Sequence, residues 1–158
     1  MRRKKSEFYC RPKPLSASLE DYLEAIYNLS NKSQVAHSKD IAASLGVAKP
    51  SVTGALRLLV KKGLVNYVPY GSVTLTKAGR AQAAKVAKKH DILESFFMNI
   101  LGVDHSVAHP TACKAEHVLG EEAVKKLLLF IEFTAQENSN GSDTALKFKE
   151  YCRRKAEL

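Results

Sequence analysis

Apolar residues recur at helical spacing from Ser18 to Leu29, where Leu19, Tyr22, Leu23, Ile26, Tyr27 and Leu29 mark one face. Ser18 stands at the expected N-cap, and Glu20 and Asp21 put negative charge in the first turn, where the helix dipole favours it. A short second helix is predicted over Ser38 to Leu45, capped by Ser38 and stopped by Gly46 in a left-handed turn. A third begins around Pro50, whose missing N–H costs nothing in a first turn, and runs through Val52, Ala55, Leu56, Leu59 and Val60 to Gly63. Two short helices joined by a glycine turn make a helix-turn-helix. The period then changes: Leu64 to Val68 alternates as a strand, Pro69-Tyr70-Gly71-Ser72 is a turn, and Val73 to Thr76 returns as a second strand, which makes a wing.

From Thr76 the pattern is helical again, through Ala81, Ala84, Val86, Ala87, Ile92, Leu93, Phe96 and Phe97 to a stop at Gly102. Pro110 is expected to open a short helix broken by Gly120, and Glu121 to about Phe133 forms an amphipathic one. Gln136 to Gly141 reads as a polar linker, after which Ser142-Asp143 caps a last helix carrying Leu146, Phe148 and Tyr151. Between residues 107 and 133 the apolar faces, with Val107, Val118, Leu119, Val124, Leu127, Leu128 and Ile131, exceed what one thin helical layer buries. A two-fold homodimer interface would cover them, and so would folding back on the linking helix within a monomer.

Charge narrows the choice of partner. The 158 residues hold 25 Lys plus Arg against 16 Asp plus Glu, a formal charge of +9. At 45% hydrophobic and 26% charged residues the chain is neither disordered nor collagenous as a whole. Its longest apolar run, Leu127 to Ile131, falls far short of the ~18 residues a membrane span needs, so no membrane partner is expected. No apolar segment follows the charged Met1-Arg2-Arg3-Lys4-Lys5, which argues against a secretory signal and for a soluble protein in the cytoplasm. Basic charge alone would equally suit an acidic membrane surface or a ribosomal neighbour, but together with a winged helix it points to double-stranded DNA. Lys49, Ser51, Thr53 and Arg57, on the polar side of the third helix, are the candidates for reading base edges. Lys61, Lys62, Tyr70 and Ser72 are placed to hold phosphates.

The second half carries a set of metal-type residues. His90 and Glu94 are spaced i,i+4, Cys113, Glu116 and His117 are spaced i,i+3,i+4, and His109 stands four residues before Cys113. Asp21 and Glu24 add an i,i+3 pair on the first helix. These spacings put side chains on common helix faces, and imidazole, carboxylate and thiolate together suit a divalent first-row metal. Each pair taken singly is also what a solvated helix surface produces, and a single Cys is also a small hydrophobe. Cys10, Cys113 and Cys152 are odd in number and widely spaced, with neither disulfide nor zinc-knuckle patterning, and Cys10, Cys152, His37 and His105 have no evident partners. Tyr22 and Tyr27 read as packing residues.

Three segments resemble the DtxR/MntR family of metal-dependent repressors. Ser18-Leu19-Glu20-Asp21-Tyr22-Leu23-Glu24-Ala25-Ile26-Tyr27 is similar to the opening of that family, His90-Asp91-Ile92-Leu93-Glu94-Ser95-Phe96-Phe97 to its ligand-bearing linker helix, and His109-Pro110-Thr111-Ala112-Cys113-Lys114-Ala115-Glu116-His117-Val118-Leu119 to its second ligand helix. The resemblance covers roughly residues 16 to 133. It implies a mainly α protein: a flexible basic arm (1–15), a winged-helix DNA-binding domain (16–77), a helical metal-binding and dimerisation domain (78–135), and a linker with a C-terminal helix (136–158), without the SH3-like third domain of iron-sensing members.

The implied ligand set mixes two branches. Asp21 and Glu24 resemble the manganese-sensing branch, where they share a binuclear site with the equivalents of His90, Cys113, Glu116 and His117, although a carboxylate usually stands at the position of Cys113. Cys113, His109 and Glu94 look like the iron-sensing branch, in which His90, Glu94 and His109 form an ancillary site and Cys113, Glu116 and His117 a primary one, with Met at the position of Asp21. The implied corepressor is therefore Fe(II) or Mn(II), acting on metal-uptake genes, with Ni, Co and Zn binding in vitro by the Irving–Williams order. Two alternatives remain: a winged-helix regulator that has lost metal dependence, and a non-haem di-iron enzyme. The second lacks the repeated Glu-x-x-His pairs, and no GxSxG, HExxH or phosphate-binding glycine loop supports an enzyme.

Overall fold

The computed structural model describes residues 15–33, 35–69, 71–139 and 143–156. The expected basic arm (except for Leu15), Cys10 and the wing residue Tyr70 lie outside the described residues. Helix α1 (Ala17–Ser33) is followed by strand β1 (Ala36–His37), helices α2 (Ser38–Leu45) and α3 (Lys49–Lys61), and strands β2 (Val65–Tyr67) and β3 (Ser72–Leu75). Then come α4 (Lys77–Ser95), a π-helical turn (Phe96–Ile100), α5 (His105–Ala115), α6 (Glu121–Ser139) and α7 (Thr144–Ala156).

The helix-turn-helix has the predicted form. Gly46 closes α2 at φ 64°, a left-handed conformation in which a side chain would be strained. The apolar stripe of α3, Val52, Ala55, Leu56 and Leu59, is buried against Leu23 and Ile26 of α1 and Val65 and Val73 of the wing. That core fixes α1 to the wing and leaves the polar face of α3 outside.

The wing holds one strand more than expected. β1 pairs antiparallel with β3, Ala36 opposite Val73 and His37 opposite Ser72, and β3 pairs with β2, giving the order β1-β3-β2. Two residues are too few to show alternation, so only the pairing reveals this strand. It also corrects the capping of α2: His37, extended in β1, is the N-cap and Ser38 is already helical. At α1 the cap is Ser16, whose carbonyl and hydroxyl accept the Leu19 N–H, not Ser18. Thr76 caps α4, accepting the Gly79 N–H at 3.0 Å while donating its own hydroxyl proton to the Gly63 carbonyl at 2.7 Å.

Beyond α4 three expectations are corrected. The linking helix does not stay α-helical to Gly102; it shifts to the π-helical turn, where Leu101 N–H donates to the Phe96 carbonyl. α5 begins at His105, five residues before Pro110, because the Asp104 carbonyl accepts the N–H groups of Val107 and Ala108 and starts the helix upstream. α6 runs on to Ser139, so Gln136 to Ser139 are helical rather than linker; Gln and Glu favour helix, and no glycine or proline intervenes before Gly141. Asp143 caps α7 as expected, its Oδ1 accepting the Leu146 N–H at 2.7 Å.

The apolar surface of the second half is only partly the one predicted. Val124 is buried within the chain, whereas Val107 and Val118 are exposed, and Leu129, Phe130 and Phe133 join them as exposed large hydrophobics. Among the described residues no helix is long and apolar enough to cross a membrane.

Candidate metal centre

α4 and α5 pack together, and α4 also packs on α1, so the three faces carrying His, Cys and carboxylates meet. Asp21, Glu24, His90, Glu94, His109, Cys113 and Glu116 line one cleft of about 630 Å³. His117 adjoins the cleft through Asp21 and Glu116. Its Nε2 lies 2.8 Å from Asp21 Oδ1 and 3.3 Å from Glu116 Oε1, and its Nδ1 lies 2.7 Å from Glu20 Oε2. Glu116 is 2% exposed and stands 2.9 Å from His90 Nδ1. A carboxylate buried that deeply needs charged or hydrogen-bonding partners, and two imidazoles supply them.

Further out, His90 Nε2 is 3.2 Å from His109 Nδ1, which in turn is 2.9 Å from Glu94 Oε1. The Cys113 sulfur sits 3.7 Å from His90 Nδ1 and 3.9 Å from His109 Nε2. All eight predicted metal-type residues are thus gathered, in an inner group around Glu116 and an outer one around His109, with His90 touching both.

Two residues of this cluster were not anticipated as members. Glu20, read from sequence only as a favourable first-turn charge, holds His117. Its spacing of four from Glu24 places both carboxylates on one face of α1, the signal that was available. His105, read as isolated, lies 3.4 Å from Glu94 Oε1 and stacks on His109 with ring centroids 5.4 Å apart.

The electrostatics are those of a site short of positive charge. Burial, followed by the neighbouring Glu116, pushes the Glu24 carboxyl up to about 7. The hydrogen bond to Glu116 raises His90 against the opposing effect of burial. Burial works to lower His117, but the Glu20 hydrogen bond and the Asp21 and Glu116 charges outweigh it and the net direction is up. Burial, then Glu116, raises the Cys113 thiol. With carboxylate oxygens on both ring nitrogens, His117 can donate to both only as the imidazolium.

A group whose pKa is higher in the fold than in the unfolded chain contributes stability at low pH and loses it as pH rises through the folded value. Glu24, His90 and His117 all have this sign. Metal-free protein is expected to melt at progressively lower temperature from about pH 5 to about pH 8, and Glu24→Gln to flatten that slope. Thermal melts in chelator check it; a wild-type melting temperature that climbs over this interval contradicts it.

The donor chemistry fits a divalent transition metal. Ligands at about 2.1 Å from an ion stand about 3.0 Å apart at right angles and about 3.4 Å apart at tetrahedral angles. The nitrogen–oxygen separations above, from 2.7 Å to 3.3 Å, fall close to that range.

In the winged helix, Lys49, Ser51, Arg57 and Ser72 are exposed; Thr53 is half-buried, its hydroxyl donating to the Lys49 carbonyl at 3.3 Å. Lys49 and Thr53 line a cleft of about 470 Å³ together with His37, Ser38 and Lys39, which the sequence reading had not included.

Known proteins resemble this chain in sequence and fold. The iron dependent repressor, N-terminal DNA binding domain, family matches residues 14–73, and the iron dependent repressor, metal binding and dimerisation domain, family matches residues 76–143. This chain belongs to the DtxR/MntR family of metal-dependent transcriptional repressors. It is 36% identical over 119 residues to an uncharacterized HTH-type transcriptional regulator of Methanocaldococcus jannaschii, covering 75% of this chain and 95% of that one. The transcriptional regulator MntR of Escherichia coli O6:H1 is 34% identical over 114 residues, covering 72% of this chain and 73% of MntR. A manganese-dependent transcriptional repressor solved in complex with manganese superposes with a TM-score of 0.68 at 30% identity, over 73% of this chain and 53% of the other. The chain thus spans about half the length of that solved repressor. Family membership also excludes the enzyme alternative, since these relatives are regulators and not enzymes.

Proposed function

We propose that this chain is a homodimeric, cytoplasmic repressor of metal-uptake genes that takes Fe(II) or Mn(II) as corepressor. The observation that carries this reading is His117, in the turn just after α5, held between Glu20 and Asp21 of α1. α1 is built into the winged-helix core and α5 is not, so this cluster ties the DNA-reading half to the other half. Asp21, Glu24, His90, Glu116 and His117 would hold one ion; Glu94, His109 and Cys113 are further donors beside it. The ion supplies the positive charge these carboxylates lack. With their repulsion neutralised, α1 and α5 keep one relative arrangement, and the population shifts toward the form of the dimer that fits DNA. Ni, Co and Zn are expected to bind in vitro. The exposed Val107, Val118, Leu129, Phe130 and Phe133 provide the apolar surface for the homodimer.

α3 enters the major groove of a double-stranded operator, with Lys49, Ser51, Thr53 and Arg57 toward base edges and Ser72 on the wing toward phosphates. Arg57→Ala is expected to weaken operator binding about tenfold or more. A salt titration of binding sorts its role: a slope reduced by about one assigns Arg57 to phosphate, an unchanged slope with relaxed base preference assigns it to a base. Unaltered affinity and slope would remove Arg57 from the interface.

The deciding experiment is anaerobic fluorescence-anisotropy binding to the DNA upstream of its own gene, in chelator and then with Fe(II) or Mn(II) at fixed salt. Affinity that rises with metal supports the corepressor reading and ranks the ions. Equal affinity with and without metal identifies a metal-independent winged-helix regulator.

A further inference from the structure

Resting on that reading of the cluster as a metal centre, we propose that His105 is a metal ligand, completing with Glu94 and His109 an outer site separate from the ion held around Glu116. His105 and His109 are spaced i,i+4, so successive turns of α5 present both rings on one face toward Glu94 of α4. His109 Nδ1 is 2.9 Å and His105 Nε2 3.4 Å from the same oxygen of Glu94. One ligand atom from each of the three residues lies within 4.8 Å of the other two. The two distances to Glu94, 2.9 Å and 3.4 Å, match donors about 2.1 Å from a common ion.

The His105 and His109 rings are stacked, 20° between planes, and each sets a ring nitrogen beside the same Glu94 oxygen. With His109 bonding through Nδ1, its Nε2 proton is directed at the Cys113 sulfur 3.9 Å away. A ligating histidine ordinarily donates its second N–H to a fixed acceptor, which sets the tautomer and ring orientation. His105 is the most exposed of the three, its side chain 67% accessible, which leaves the remaining coordination positions to water. Two imidazoles and a carboxylate with open positions suit Fe(II), Co(II), Ni(II) or Zn(II). This outer site is expected to be weaker and faster to exchange than the inner one, because it is exposed where the inner donors are buried.

Co(II) is the probe, titrated anaerobically into the full chain, with bound metal counted by equilibrium dialysis and imidazole ligands counted from paramagnetically shifted N–H proton resonances. Wild type is expected to bind a tight and a weaker equivalent. His105→Ala and His105→Phe are both expected to weaken the second at least tenfold and remove one shifted resonance, leaving the first unchanged. Phe keeps a ring stacked on His109 without a donor, so loss in both variants separates ligation from packing; His105→Asp, which restores an oxygen donor, should recover part of the affinity. Two equivalents with unaltered affinity and resonances in His105→Ala and His105→Phe overturn the proposal, as does full retention in the Phe variant alone. A wild-type chain that takes up no Co(II) at all fails the metal-centre reading itself.

Discussion

Asp21→Ala is expected to abolish metal-stimulated operator binding while leaving the dimer intact. The Asp21 carboxylate lies 2.8 Å from His117 Nε2, and its side chain is 48% exposed, so its loss opens no cavity, and Glu116 Oε1 at 3.3 Å stays beside His117 Nε2 as a partner. What disappears is a donor from α1, the helix through which the winged-helix core would feel the ion. A hundredfold metal stimulation corresponds to a coupling of about 2.7 kcal/mol, and without this donor DNA affinity should fall back to its metal-free level. Anisotropy titrations with and without Mn(II) or Fe(II) measure the coupling, and sedimentation measures the dimer. An undiminished metal response in this variant would sink the proposed mechanism.

Gly79→Ala is expected to destabilise the fold by about 3 kcal/mol, lowering the melting temperature by about 6–12 °C. Gly79 lies buried in the first turn of α4, and a Cβ there would stand 1.9 Å from the Leu64 carbonyl oxygen and 2.8 Å from its carbon. Neither backbone is free to retreat. The Leu64 carbonyl accepts the Thr76 N–H at 3.0 Å and the Leu64 N–H donates to Leu59 at 3.0 Å. Gly79 itself donates to the Thr76 hydroxyl, which donates to Gly63. Relief requires prising α4 from the wing. A melting temperature within about 2 °C of wild type, measured in chelator, would show that this junction yields more easily than its hydrogen bonds imply.

Much of the architecture is legible in the chain itself because it is encoded locally. The stripe Val52, Ala55, Leu56, Leu59 declares α3 and its buried face; Gly46 declares the turn before it; the change of period at Leu64 declares the wing. The metal-type residues are legible in the same way, since i,i+3 and i,i+4 spacing puts side chains on one helix face whatever that helix later packs against.

What spacing leaves open is which faces meet. Glu20 and His117 are 97 residues apart, and only the packing of α1, α4 and α5 brings them to 2.7 Å. His105 looks isolated while α5 is taken to start at Pro110; once the Asp104 carbonyl starts that helix earlier, its ring falls one turn from His109 and beside Glu94. β1 exists only because β3 offers it hydrogen-bonding partners. The sequence by itself therefore determined the helix-turn-helix, the wing and the residue types available for metal, each through contacts within a turn or two of chain. Tertiary packing alone decided how those donors divide into an inner and an outer group, because that division depends on distances between helices that no local pattern records.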